Sequence, residues 1–447
     1  MNTRKVLNHN EAKNKLKKIF KNKDDAFFEK IFSKKQYIRI KSHLTQYEIH
    51  ELKKIGDPGI NFQNSSKRVY PQHSLFSHIT GFLSSNLKSK LEKNLNSKLK
   101  NGDDVALSVD LRVQSIVHEE LSESLDSYEA NSAVSIVMDI NNGEIISMVS
   151  LPDFNPNYPE KIKAFSENNL ATEARYEMGS TLKIFNAAMA YENNSKAINK
   201  VFNIKDGYQI SKQKLLDDKY ISKKKLNFEE VFIKSSNVGS VKILESTGIN
   251  KQRGFFETIG ITRDLDIKGI KTVSNKLPEY WNDQASKFIS YGYGISLSPI
   301  SLITSFSSLV NGGYEINPQI YINNPTERKR IISKETSKKI NYLIEEIVKN
   351  GTGKKAKVLG LRVGGKTGTS NKVENGNYSE DKVITSFIGI FPMEEPKYLT
   401  LVLFDEPKTN NEESLENFAS NTAAPTFARI VKKISPILNK KNYLNGK

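Results

Sequence analysis

The sequence contains no cysteine. That absence removes disulfides, thiol catalysis and cysteine metal sites together, while leaving the redox compartment open. Histidine is nearly as informative. All six, His9, His43, His50, His73, His78 and His118, lie in the first 118 residues. A catalytic centre in the later chain has no histidine for a Ser-His-Asp triad unless the N-terminal region reaches across. A zinc site there lacks imidazole and thiolate alike. A serine nucleophile in that part of the chain would turn to lysine for its base. There is no run of 18 apolar residues, and the first 20 residues are charged and polar. The chain as given carries neither a membrane span nor a signal peptide.

What is present is ordinary in bulk. With 447 residues and 37 % hydrophobic content, the chain has room for two or three domains with globular cores. Its formal charge of +17 comes from 67 Lys plus Arg against 50 Asp plus Glu. Such a balance can favour nucleic acid or anionic surfaces. Here the basic residues are spread along a chain rich throughout in Lys, Asn, Ile and Ser. No recognised reading module is visible, so no nucleic-acid partner is expected.

The chain is organised around residues 177 to 191, Glu-Met-Gly-Ser-Thr-Leu-Lys-Ile-Phe-Asn-Ala-Ala-Met-Ala-Tyr. Ile184 to Ala190 are apolar apart from Asn186, too continuous for a surface helix and suited to one buried in a domain centre. Gly179 can supply an unusual backbone angle, and Ser180 then stands where the helix begins. Lys183 follows three residues later, so on a helix its amine shares a face with the Ser180 hydroxyl. Such a pair can be a nucleophile and its base. It can equally be a helix cap beside a lysine, since the same spacing recurs at Ser85/Lys88, Ser97/Lys100, Ser211/Lys214 and Ser222/Lys225. Ser180 is set apart by the buried helix behind it and by motifs later in the chain.

Residues 1 to 55 alternate Lys-rich patches with apolar groups such as Ile19-Phe20 and Phe27-Phe28. They read as small amphipathic helices with a strand-like Gln36 to Ile40. Residues 84 to 104, mostly Ser, Asn, Lys and Leu, mark the expected domain boundary. Next come a strand over Val105 to Asp110, a helix over Leu111 to Leu125, and a hairpin turning at Asn141-Asn142-Gly143. Residues 195 to 225 read as a polar surface excursion. Later helices are expected at Asn227 to Lys234, Val238 to Ser246, Pro299 to Val310 and 334 to 349. Strands at Val383 to Phe391 and Tyr398 to Phe404 precede a helix over 421 to 434 and a loose basic tail. The expected domains are 1–104, 105–436 and the tail 437–447.

Gly360 to Thr367, Gly-Leu-Arg-Val-Gly-Gly-Lys-Thr, literally satisfies the phosphate-binding-loop pattern of ATPases, and Leu401 to Glu406 resembles the acidic strand that accompanies it. That loop works only where a helix starts right after the lysine. Gly368, Ser370, Asn371, Asn375, Gly376 and Asn377 make a poor helix and a good strand-to-loop transition. The ATPase reading is therefore the disfavoured rival.

Three stretches together fit another pattern. Ser-x-x-Lys at 180 to 183, Ser-x-Asn at 235 to 237 and Lys-Thr-Gly at 366 to 368 stand in the order of the penicillin-recognising serine acyl-transferases, which the chain resembles. Asp139 to Asn157 looks like that family's hairpin and loop before the active-site helix. Gly292-Tyr293-Gly294, Ser298 to Ser301 and Asn311-Gly312-Gly313 are similar to its later helical signature. Thr385 to Pro392 and Tyr398 to Pro407 resemble its final strands. Arg68-x-Tyr70-Pro71 and Val105 to Gln114 look like the non-catalytic region of class B penicillin-binding proteins. Ser235-Ser236-Asn237-Val238-Gly239 resembles their cell-division branch.

The resemblance implies an α+β transpeptidase domain, a five-stranded antiparallel sheet with packed helices and a helical lobe, behind a small N-terminal pedestal. It implies a peptidoglycan D,D-transpeptidase of septal wall synthesis that binds penicillin covalently. In that scheme Ser180 attacks the carbonyl between two terminal D-alanines. Lys183 takes its proton, with a pKa lowered from about 10.4 towards roughly 7 to 8 by burial and by the charge of Lys366. The backbone N–H groups of Ser180 and Thr369 receive the oxyanion. Ser235 relays the proton to the departing D-alanine and Asn237 holds the peptide amide. Lys366, Thr367 and Thr369 bind the substrate carboxylate, and Gly368 lets the peptide lie flat on the strand.

An amine from a second stem peptide then resolves the acyl-enzyme. The implied partners are stem peptides, β-lactams, a membrane glycosyltransferase and division proteins. No metal or organic cofactor is implied. The site would face the periplasm at the inner membrane. The family's transmembrane helix and Arg-Gly motif are missing from the front, which points to a fragment, a late-started reading frame or a protein held by something else. A D,D-carboxypeptidase with the same site and a catalytically silent penicillin-binding scaffold are the alternatives. A β-lactamase would need a deacylating Glu motif, and none is convincing.

Overall fold

The computed structural model describes residues 1–34, 36–65, 68–83, 91–322, 328–374, 376–408 and 418–444. Contacts divide it into two units, Met1–Pro71 and Gln72–Lys447. In the first, helices α1 (His9–Ile19), α2 (Asp25–Phe32) and α3 (Gln46–Ile55) each begin on a capping side chain. Asn8 accepts from the Glu11 N–H, Asp24 from that of Phe27, and Thr45 with Glu48 forms a reciprocal capping box. Their apolar faces meet in a core of Leu16, Phe20, Phe28, Ile31 and Leu52. The strand-like Gln36 to Ile40 amounts to one bridge, Tyr37 with Asn2.

The larger unit is built on a five-stranded antiparallel sheet. Its strands are β1 (Ser132–Asp139), β2 (Ile145–Leu151), β3 (Gly364–Glu374), β4 (Asn377–Phe391) and β5 (Tyr398–Asp405). They lie in the order β2-β1-β5-β4-β3, so the early hairpin joins the late strands through β1 against β5. Alternate residues of the central strands feed two cores. Val134, Ile136 and Met138 of β1 enter one with Leu399, Leu401 and Leu403 of β5. Ala133 and Val137 enter the other with Val402 and Phe404. Strands buried on both faces read as largely apolar runs, and β1 and β2 look so in the sequence, interrupted only by small serines and the terminal Asp139.

Among the helices of this unit, six frame the site and the sheet: α4 (Leu111–Ser127), α5 (Lys183–Glu192), α6 (Asn237–Thr247), α7 (Pro299–Val310), α8 (Lys334–Asn350) and α9 (Ala423–Leu444). The face with Phe404 is covered by Val113, Val117 and Leu121 of α4 and by Phe427, Ile430 and Ile434 of α9. On the other face α5 and α7 meet edge to face through Phe185 and Phe306, their ring centroids 5.9 Å apart. Every residue of α5 from Lys183 to Tyr191 is buried, as expected of a helix whose run from Ile184 to Ala190 is apolar apart from Asn186.

The larger unit also departs from the expected elements. Val105 to Asp110 is not a strand. It makes one bridge, Leu107 with Tyr321, and two bonds to the sheet edge, Ser108 hydroxyl to Ile145 O at 2.7 Å and Asp110 N–H to Ile146 O at 3.0 Å, before Asp110 caps α4. The break between units falls at Pro71, ahead of the polar stretch, because Ile79 and Leu91 are buried in the larger unit's core. Residues 84–90 of that stretch lie outside the described residues. Helix α9 continues past 434 because Leu438 is still buried in the core, and residues 445–447 lie outside the described residues. The excursion at 195–225 contains a short hairpin, Tyr208–Ile210 with Gln213–Leu215, enclosed by an antiparallel pair, Val201–Asn203 with Lys225–Asn227. Among the described residues no helix is long and apolar enough to cross a membrane.

Candidate active site

The chain reaches α5 through a tight 3-10 turn, Gly179–Leu182, which leaves Ser180 half-exposed on a cleft of about 420 Å³. Gly179 has φ +53°, and a Cβ there would lie 2.4 Å from the Thr369 carbonyl oxygen. A Cβ at Gly368 would lie 2.4 Å from the Met178 carbonyl oxygen. Side chains are excluded at both positions, so the turn carrying Ser180 lies directly against the backbone of β3. This requirement for Gly368 is one that the sequence reading did not contain.

Behind Ser180 stand two lysines that are completely buried, Lys183 and Lys366. The Lys183 amine donates to the Ser235 carbonyl (2.5 Å), the Asn237 Oδ1 (2.6 Å) and the Ser235 hydroxyl (3.2 Å). The Lys366 amine donates to the same hydroxyl from the other side (3.0 Å), and to the carbonyl and hydroxyl of Thr367 (2.8 and 3.2 Å). One serine hydroxyl is thus held between two amines. Among the described residues Lys183 makes no such bond to Ser180; contacts of this kind commonly tighten only when a ligand binds.

Burial pushes Lys183 down to about 8, against the opposing pull of Asp217 and Asp218. Lys366 is pushed well below the ordinary lysine range, first by burial and then by repulsion from Lys183. The expected depression of Lys183 is present, but burial leads it, and the repulsion between the amines falls on Lys366.

Ser235 is a buried non-glycine residue with φ +61°, a sparsely populated conformation that its surroundings must impose. Asp217 supplies much of that restraint. Its Oδ2 accepts from the Ser236 hydroxyl (2.5 Å), and its Oδ1 accepts from the N–H groups of Asn237 (2.5 Å) and Val238 (3.0 Å) at the start of α6. The Ser236 hydroxyl in turn accepts from the Gly239 N–H (2.8 Å) and caps the helix.

β3 runs without a break through Lys366 to Glu374, so the helix that a phosphate-binding loop needs does not start there. Thr367, Thr369 and Asn371 alternate along β3 to line the cleft opposite Ser235, Asn237 and Asp218. Three residues before Ser180, Glu177 accepts from the Gly294 N–H (2.7 Å) and the Tyr378 hydroxyl (3.2 Å). Burial raises its carboxyl above the usual range.

Comparison with known proteins agrees with this geometry. Residues 133–432 match the family profile described as the penicillin binding protein transpeptidase domain, and residues 2–107 match the penicillin-binding protein dimerisation domain. The chain belongs to the penicillin-binding protein transpeptidases. Within that family it is a class B protein of the FtsI type. It is 30 % identical over 418 residues to a probable peptidoglycan D,D-transpeptidase FtsI of Caulobacter vibrioides, covering 89 % of this chain and 71 % of that protein. It is 27 % identical over 433 residues to a probable peptidoglycan D,D-transpeptidase PenA of Neisseria meningitidis, covering 89 % and 73 %. Among solved structures, the apo transpeptidase domain of penicillin-binding protein 3 from Burkholderia pseudomallei superposes with a TM-score of 0.66 at 26 % identity, covering 75 % of this chain and 96 % of that one.

The transpeptidase fold brings Ser180, Ser235, Asn237, Thr367 and Thr369 onto one cleft, sets Lys183 and Lys366 behind Ser235, and lays Gly368 against Met178. Sequence reasoning missed Asp217, Asp218 and Thr352, and it named Tyr293 only as part of the Gly-Tyr-Gly signature and not as a cleft residue. Asp217 sits in a polar stretch where no local pattern marks it, because its partners are 19 to 21 residues away. Thr352 had a signal, a Gly-Thr-Gly turn just before the Lys-Thr-Gly strand. Asp217→Ala frees the two N–H groups and the Ser236 hydroxyl together. It should slow covalent labelling by penicillin about tenfold or more with the fold retained. Labelling rates read beside thermal melting check this; a native rate in the variant would contradict it.

Proposed function

We propose that this chain is a serine D,D-transpeptidase that cross-links peptidoglycan stem peptides through an acyl-enzyme on Ser180, in the wall synthesis of cell division. The observation that carries the reading is the Ser235 hydroxyl held between two buried lysines at a cleft that also exposes Ser180. Neutral Lys183 accepts the Ser180 proton as the oxygen attacks the carbonyl between the terminal D-alanines. The Ser180–acyl bond forms, and the backbone N–H groups of Ser180 and Thr369 take the oxyanion. Contact between the Ser180 turn and the Thr369 backbone supports that assignment.

Ser235, hydrogen-bonded to both amines, passes the proton to the nitrogen of the departing D-alanine as the old peptide bond breaks. Asn237 has its oxygen engaged by Lys183, which leaves its amide N–H groups for the ligand's carbonyl. Lys366, Thr367 and Thr369 attract the terminal carboxylate. A second stem peptide then brings an amine that attacks the acyl-enzyme, gives up its proton and frees Ser180.

Residues 1–104 we assign to a non-catalytic domain and 105–436 to the catalytic one, a division of function that the two profile matches at 2–107 and 133–432 support. The dimerisation match also favours cross-linking over simple carboxypeptidase action. Substrate chemistry puts the site at the periplasmic face of the inner membrane, with a glycosyltransferase and division proteins as partners.

Two results are expected. Fluorescent penicillin labels the native chain covalently and leaves Ser180→Ala unlabelled; an unlabelled native chain that is well folded would overturn the assignment. The base is the neutral form of a lysine lowered to about 8, with Lys366, Asp217 and Asp218 facing it. The acylation rate should therefore climb with pH through about 8 and level off above it. A rate that is flat or falls across that range contradicts Lys183 as the base.

A further inference from the structure

We propose that Thr352 is a positioning residue for recognition of the ligand's carboxylate, acting by turning the Thr367 hydroxyl into the cleft. The inference rests on the acyl-transferase reading above and extends it to a residue outside the three motifs. The Thr352 and Thr367 hydroxyls lie 2.9 Å apart, and both residues line the cleft. The Thr367 oxygen already accepts from the Lys366 amine at 3.2 Å. A hydroxyl has one proton and two lone pairs. When Thr352 donates to Thr367 as well, both lone pairs are occupied and the Thr367 proton must point elsewhere. The open direction is the cleft, where a carboxylate would accept it. In the opposite arrangement Thr367 donates to Thr352 and has no proton to offer an anion.

The turn that carries Thr352 is fixed to the segment that presents Ser235. The Thr352 N–H donates to the Ile233 carbonyl at 3.3 Å, two residues before Ser235. A Cβ at Gly351 would lie 2.3 Å from that same carbonyl oxygen, so the turn packs against it without room for a side chain. The N–H groups of Gly351 and Gly353 both donate to the Ile347 carbonyl at the end of α8, at 3.0 and 3.2 Å. The same turn continues into Lys354 and Lys355, both exposed on the cleft, and Lys355 is held by the Asn421 Oδ1 at 2.9 Å. The wall bearing Thr352 is thus positively charged, which suits an anionic ligand group.

The test compares benzylpenicillin, which carries a carboxylate, with its methyl ester, which does not, on the native chain, Thr352→Val and Thr352→Ser. Thr352→Val should lower the second-order acylation rate for benzylpenicillin by about tenfold or more, as expected for a hydrogen bond to a charged group. The ester's rate should change by less than about twofold, and Thr352→Ser should restore most of the loss. Thr352→Ala replaces the valine variant if thermal melting shows that valine disturbs the turn. Equal slowing with both ligands would show that Thr352 only supports the turn and would overturn the proposal, as would an unchanged benzylpenicillin rate. Failure of the native chain to acylate at all would overturn the transpeptidase reading and this proposal with it. A normal native rate with no carboxylate dependence in Thr352→Val would overturn this proposal alone.

Discussion

Two amines buried within hydrogen-bond reach of one serine hydroxyl cannot both hold a full charge at little cost. That constraint organises the catalytic unit. Lys183 and Lys366 have no exposed surface, and Ser235 lies between them at 3.2 and 3.0 Å. Desolvation alone destabilises each ammonium, and their proximity adds repulsion. The result is a lysine that can accept a proton near neutral pH, beside a second that is itself pushed well below the ordinary lysine range.

The rest of the fold keeps this arrangement from relaxing. Helix α5 is buried along its length, so Lys183 cannot swing to solvent. Lys366 is held on a strand in the middle of a long ladder with β4, from Gly364 with Ile390 to Ser370 with Ile384. Gly179 and Gly368 let the Ser180 turn meet that strand with no side chain between them. Ser235 pays with a left-handed backbone for its position, and the Asp217 carboxylate holds the following residues so that it stays there. Asp217 also offsets part of the desolvation of Lys183, so one residue supports both the shape and the charge of the site.

Much of this was legible in the sequence because it is local. An apolar run interrupted by one Asn predicted a buried helix, and the structure places α5 there. Pro299 to Val310 was readable as a helix because its Ser cap, first-turn Pro and closing Asn-Gly-Gly all agree. The Gly- and Asn-rich residues after Lys366 argued for a strand-to-loop transition rather than a helix, which disfavoured the nucleotide-binding alternative. What could not be read depends on partners far apart in the chain. Val105 to Asp110 has a strand's composition but meets the sheet edge with a single backbone bond. Asp217 and Thr352 act on residues that no spacing rule connects to them. The division of the pKa effects between two lysines follows from burial and distance, which a motif does not contain.

The central claim is that Lys183 is a lysine held near neutrality, and its proton affinity can be measured directly. Native protein carrying 15N- and 13C-labelled lysine would be titrated by NMR, with the Lys183 signal assigned by its loss in Lys183→Met. The structure predicts a midpoint at about 8. A midpoint at the ordinary lysine value of about 10.4 would contradict the account.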